Sequence, residues 1–480
     1  MKLRLSKQKY WFLKFLIWLS YVVYAIIALT TFQNFELKVG VLLCGVLIEL
    51  SVISFVNNWY KLITPKLLDW FRLGTFLTLI LNFLSLAFFL DSEDSILVNN
   101  MKLVSIDSAL VMLFVILIGL LGLNFGQLFV ESFPLKKKHP EEKFYKVQRL
   151  NLFYLLIILI SIIQIYLMIN GFIGYGSDKS YNISQYSVLL QIIGIIAPFF
   201  LVLLSFLKFH FKFRGRIFNS IFVGFILVQF LVGFLSGMKE NIITPIILIS
   251  VPYIFSGRKI PKLSVIIFII FIFFVYPINN NYRDILNNSN INKSQALNLA
   301  IVSTFSDNPL ELISTGSESY SNRLSLFPMA MYSVQIEQSW NEYKYLDRYL
   351  FLPIAWLVPR VLLPQKPTSD TGSKLYQTIT GGTNNSVTPS TFGWAYLEGG
   401  YIPVFVSFLI LGLFVTIIQT QLNIHSIFGI IIYSLLLSGL LKMESDIYFR
   451  ISGMLQTILI SYILYNFFIT HKNSLKNAET

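Results

Sequence analysis

The sequence predicts an all-α polytopic membrane protein, with about 12 transmembrane helices and one large extracytoplasmic loop. Three observations carry this. Of 480 residues, 55% are hydrophobic and 13% charged, about half the charged share of a soluble chain. Apolar runs of roughly 20 residues, the length that crosses a bilayer as a helix, recur along most of the chain. The loops between them alternate in charge, as cytoplasmic and external loops do.

The first run, Trp11–Thr31, follows Lys2, Arg4, Lys7 and Lys9. It is too long for a signal-peptide core and no small-residue cleavage site follows, so it reads as a retained span with the amino terminus inside. Further spans are expected at Leu37–Val56, Trp70–Leu90, Ser108–Val130, Leu150–Ile169, Tyr186–Leu207, Ile217–Leu235, Ile242–Phe255 and Leu263–Ile278. Three more follow at Tyr401–Thr420, Ile424–Leu441 and Ile451–Ile469. The run Ile242–Phe255 is short and holds Pro245 and Pro252, so a broken or partly inserted helix is expected there.

The loops Asn57–Asp69, Glu131–Arg149, Lys208–Arg216 and Gly257–Lys262 are basic, whereas Asp91–Asp107 is acidic. The positive-inside rule puts the basic loops and both termini in the cytoplasm. It also accounts for the net charge of +13 without nucleic acid as a partner. The expected organisation is an N-terminal bundle over 1–278, an extracytoplasmic loop with short or re-entrant helices over 279–400, and C-terminal helices with a cytoplasmic tail over 401–480.

The outer loop balances its charges, so membrane orientation does not explain its cations. Gln295–Ser303 and Arg323–Gln338 read as helices. Tyr349–Val361 is too short to span and holds Pro353 and Pro359, which fits an interfacial or re-entrant helix that presents Arg360. Pro359 to Pro367 stiffens the spacing of Arg360 and Lys366. Ser369–Ser390, rich in Gly, Ser, Thr and Asn, reads as a flexible lid or sugar-binding loop.

Candidate anion-binding residues are Lys239, in the turn Ser236–Glu240, and Arg283, in Tyr282-Arg283-Asp284. Arg360, Lys366 and Arg323 join them. Each also has an ordinary reading as an interfacial anchor. Trp394 and Tyr396 are expected at the membrane interface, where aromatics also stack on sugar rings. Glu398, the strong acid among them, is the first candidate general base and Glu240 the second. Glu49, within an apolar run, reads as snorkelling to the inner surface. Few other charges are expected inside the spans.

The phosphate-binding Gly-rich loop and the His-Glu-x-x-His motif are both absent, and Cys44 is the sole cysteine. Neither nucleotide hydrolysis nor a metal centre is indicated. All four histidines fall on the inner side of this topology.

The large outer loop, Pro359-Arg360 with Lys366-Pro367, Thr388-Pro389-Ser390, and the aromatic run ending in Gly399-Gly400 before a span together resemble the O-antigen/capsular repeat-unit polymerases, the Wzy family. Ser236–Glu240 and Tyr282-Arg283 are similar to that family as well. The resemblance implies a GT-C-like membrane glycosyltransferase of the bacterial cytoplasmic membrane, working without metal or other cofactor. Such an enzyme moves a growing glycan from undecaprenyl diphosphate to the non-reducing end of a new lipid-linked repeat unit at the outer face. The lipid-linked oligosaccharide is then the partner, together with membrane lipid, and a chain-length regulator and a flippase are expected alongside. Fixed cations would stabilise the leaving diphosphate. The alternatives left open are a lipid-linked oligosaccharide flippase and an O-antigen-ligase-like transferase.

Overall fold

The computed structural model describes residues 6–61, 65–93, 95–98, 102–133, 144–170, 172, 187–259, 261–288, 291–306, 326–340, 342, 344, 346–358, 363, 367, 371–382, 386–424 and 426–472. Each expected span is a helix: α1 Lys7–Thr31, α2 Phe35–Lys61, α3 Leu67–Ser92, α4 Ile106–Ser132, α5 Leu150–Ile169, α6 Ser187–Phe209, α7 Arg216–Leu235, α8 Lys239–Phe255 and α9 Lys262–Asn288. In the outer stretch come α10 Lys293–Ser306, α11 Phe327–Ile336, α12 Thr371–Thr380 and α13 Ser390–Leu397. The last three are α14 Tyr401–Gln421, α15 Ile427–Leu440 and α16 Ile447–Phe468. Among the described residues, nine helices are long and apolar enough to cross a membrane, and α8 and α15 are shorter apolar helices. The chain is a polytopic, all-α membrane protein. Among the described residues, strands are confined to two small antiparallel pairs, β1 Ser95–Val98 with β2 Lys102–Ser105 and β3 Phe144–Val147 with β4 Ile469–Lys472.

Contacts between loops divide the bundle into two ends, and the division follows charge. At one end β3 pairs with β4, Lys66 pairs with Glu131, and Gln419 Oε1 accepts from Leu67 N at 2.8 Å. Arg258 there donates to the Phe209 carbonyl at 3.3 Å. This end carries the basic loops. At the other end Asp91 accepts from Gln33 N at 3.0 Å, Lys442 meets Glu240 at 3.1 Å, and Tyr282 donates to the Leu235 carbonyl at 3.0 Å.

The closest helix pair is α4 with α14, which run parallel. A Cβ on Gly122 would strike the Phe405 carbonyl, one on Gly126 the Leu409 carbonyl, and one on Gly412 the Leu123 carbonyl. Small residues four apart let membrane helices approach to backbone contact. Near the basic end, Asp69 and Arg72 of α3 are buried and meet at 2.9 Å. Asn58 donates to Asp69 at 2.7 Å, while Arg72 donates to Gln127 at 2.6 Å and to Asn124. The expectation of few charges inside the bundle is therefore corrected. These groups are held because each finds polar partners on a neighbouring helix.

Three features of the outer stretch differ from expectation. First, α9 continues to Asn288, so a domain boundary at 278/279 cuts a helix whose Asn279 is 1% exposed. Second, the described residues of 279–400 do not stand apart from the spans: Phe327, Met331, Leu375, Phe392 and Leu397 share one core with them. Third, the run Ser369–Ser390, read as a flexible lid or sugar-binding loop, contains α12. Leu375 and Ile379, one turn apart, bury on that core and hold the helix there.

Candidate functional site

Two segments of the 279–400 stretch enter the bundle from the end opposite the basic loops. Gly119 lies at the midpoint of α4, and a Cβ on it would collide with the Phe392 ring of α13. Phe392 stacks on Phe408 with centroids 4.3 Å apart and lies 6.3 Å from Phe71. The turn before α13 is tied to the α15–α16 connection. Thr391 N donates to the Met443 carbonyl at 2.8 Å, its hydroxyl to the Ser445 carbonyl at 2.9 Å, and Thr388 Oγ1 to the Glu444 carbonyl at 2.7 Å. The second segment is Asp347–Phe351 followed by Leu352–Ala355. Gln456, well inside α16, donates to the Trp356 carbonyl at 2.8 Å. Both this segment and Ser390–Leu397 therefore pack against the spanning helices. Non-helical backbone at such depth persists only where protein covers it.

The two segments and the start of α16 meet in a buried charged cluster. Arg348 is 3% exposed, Glu398 2% and Asp446 5%. Arg348 Nε donates to Glu398 Oε1 at 3.1 Å, and its Nη2 pairs with that oxygen and, at 2.5 Å, with Asp446 Oδ2. Asp446 also caps α16, accepting from Tyr448 N at 2.8 Å. Arg450 lies one turn on. It donates to the carbonyls of Leu440, Lys442 and Ser445 and to Thr391 Oγ1, which satisfies the exposed carbonyls at the end of α15. Glu398 ends α13, where Gly399 (φ 132°) and Gly400 (φ 82°) turn the chain into α14.

Two carboxylates thus share one guanidinium out of water. Burial raises the Glu398 carboxyl from its ordinary 4.5 to about 8, with Arg348 pulling it down and Asp446 pushing it up. Burial works against the Arg348 charge, but Asp446 and Glu398 outweigh it and hold the guanidinium protonated. Because the folded value for Glu398 exceeds the ordinary one, its stabilising contribution is complete below about 4.5 and is lost as pH rises through about 8. Thermal unfolding in detergent is expected to show a midpoint falling across that window. Glu398→Gln is expected to flatten the fall, and an unchanged slope in that variant would contradict the assignment.

The predicted residues divide into three groups. Glu398 is central to the cluster, but it is buried rather than interfacial. Glu240 pairs with Lys442 of the 441–446 connection, which Glu398 reaches through Arg348 and Asp446. Trp394 is buried too, 6.2 Å from Trp340, and donates to Thr388 Oγ1 at 3.2 Å. It is buried because α13 dips inward and takes its aromatics with it. Tyr396 is half-buried, edge-on to Tyr401 at 5.6 Å. Arg283 sits part-buried near the end of α9. Arg323, Arg360 and Lys366 lie outside the described residues, as does the side chain of Lys239. Glu49 is exposed. His210 and His471 lie at the basic end, and His139 and His425 are outside the described residues. Among the described residues, no three His, Cys, Asp or Glu side chains come together to hold a metal ion.

A family model described as a domain of unknown function (DUF8712) matches residues 76–473. The chain belongs to this family. The DUF8712 match takes in the whole charged cluster, both inward-dipping segments and the α4–α14 pair. No curated protein and no solved structure matches the chain.

Sequence reasoning missed Arg348, Asp446 and Arg450. A signal for the last two was present: Lys442, Glu444, Asp446 and Arg450 crowd between two apolar runs, and ionisable groups so close to spans are expensive unless used.

Proposed function

We propose that this protein is a GT-C-like polymerase of polysaccharide repeat units in the bacterial cytoplasmic membrane, with about 12 spans, both termini in the cytoplasm and the charged cluster toward the outer face. It transfers a growing glycan from undecaprenyl diphosphate to the non-reducing end of a new lipid-linked repeat unit. The observation that carries this reading is the buried Arg348–Glu398–Asp446 cluster, which joins two inward-dipping segments at the end opposite the basic loops. Transfer from a lipid diphosphate needs cations for a leaving group whose charge grows and a carboxylate near the attacking hydroxyl. Arg283, Arg360, Lys239, Lys366 and Arg323 supply the first in this reading. Glu398, once deprotonated, supplies the second, with Glu240 held by Lys442 on the same connection. Arg348 and Asp446 hold Glu398 in place.

Arg283→Ala and Arg360→Ala are each expected to leave the protein inserted and to abolish polymer, read on a gel of cell-surface glycan. Normal polymer with both cations removed would sink the site assignment. The buried Asp69–Arg72 pair inside a span is an observation that favours a flippase, since transporters place ionisable groups among their helices. That reading expects repeat units trapped on the cytoplasmic face when the protein is absent.

A further inference from the structure

At the basic end, far along the bundle from the charged cluster, α5 and α7 leave a groove of about 470 Å³ between their first turns. It is lined by Asn151, Tyr154, Leu155 and Ile158 of α5 and by Ile217 and Ile221 of α7. The α5 residues follow one helix face, and their spacing makes a stripe along the axis. Leu155, Ile158 and Ile217 are 57%, 51% and 69% exposed, so the groove opens outward from spanning helices, toward hydrocarbon. Its polar residues, Asn151 and Tyr154, lie at the end nearest the basic loops.

Basic residues sit at the start of both helices. Arg149 immediately precedes α5 and Arg216 opens α7, with Lys212 and Arg214 just before it. Neither helix has an acidic residue in its first turn. The Arg149 guanidinium is held 4.3 Å from the centroid of Phe467 while the residue stays exposed. Arg149 and Lys212 both sit at positive φ, 57° and 53°, a conformation that costs a non-glycine residue energy. An apolar groove facing lipid, polar at the end nearest the basic loops and with an arginine at the start of each of its two helices, is complementary to one kind of occupant.

We propose that this groove binds an anionic phospholipid, its phosphate against Arg149 and Arg216 and one acyl chain along Leu155, Ile158, Ile217 and Ile221. The inference is independent of the transfer reaction and of the charged cluster at the other end.

The test is native mass spectrometry of the full-length, delipidated protein in detergent, titrated with phosphatidylglycerol, phosphatidylcholine or inorganic phosphate. Phosphatidylglycerol is expected to bind more tightly than phosphatidylcholine. The double variant Arg149→Gln/Arg216→Gln is expected to lose that preference, by roughly 30-fold, since each cation at a membrane surface contributes about five-fold. Ile158→Trp, which fills the groove from an exposed position, is expected to weaken both lipids. Equal binding of the two lipids, or an unchanged preference in the double variant, would overturn the proposal. So would phosphate binding as tightly as the lipid, or a lipid-free dimer that Ile158→Trp dissolves, which would make the groove a contact between copies.

Discussion

Arg348→Ala is expected to destabilise the protein by about 3–5 kcal/mol, because it strands the buried Asp446 carboxylate and leaves the buried Glu398 carboxyl without its partner. Glu398 and Asp446 are almost wholly out of water, and the guanidinium is the group that pairs with both. The loss also unties three pieces of chain: the inward-dipping Asp347–Phe351, the end of α13 and the start of α16. Denaturant titration in mixed micelles measures it. Adding Glu398→Gln to the variant is expected to recover part of the loss above about pH 8, where Glu398 would otherwise ionise without a partner. A loss below about 1 kcal/mol would mean the three groups behave as a solvated surface pair.

Arg72→Ala is expected to cost a similar 3–5 kcal/mol at the other end of the bundle. Asp69 is fully buried and keeps only Asn58 and the Lys66 amide as donors when Arg72 is removed. Asn124 and Gln127 on α4 lose their shared donor as well. The same titration reads the effect. Asp69→Asn combined with Arg72→Met is expected to be milder than Arg72→Ala alone, because no charge is then left unpaired. Equal losses would show that the cost lies in packing rather than in charge.

The helices were legible in the sequence because each apolar run has the length that a bilayer demands, and that requirement is local. The grouping of the loops was legible from charge: Glu131–Arg149 is basic and Asp91–Asp107 acidic, and the contacts sort them to opposite ends of the bundle. Glu398 stood out as a lone acid in an aromatic stretch. Its partners did not, because Arg348 lies 50 residues away and an ion pair leaves no trace in spacing at that range. Ser390–Leu397 looked interfacial because Trp394 and Tyr396 are typical belt residues. Only the contact between Phe392 and the middle of α4 shows that the segment goes inward. Gly122 and Gly126, four apart on α4, were the readable trace of the α4–α14 contact, since a four-residue glycine spacing in a span is a packing signal.

The measurement that bears most directly on the proposed transfer is the profile and sidedness of lipid-linked glycans in cells lacking this protein, compared with cells carrying Arg360→Ala. The proposal predicts single repeat units accumulating on lipid at the outer face in both, with no long polymer. Units held on the cytoplasmic face would contradict it and make the protein a transporter, with its outer cations left as interfacial anchors.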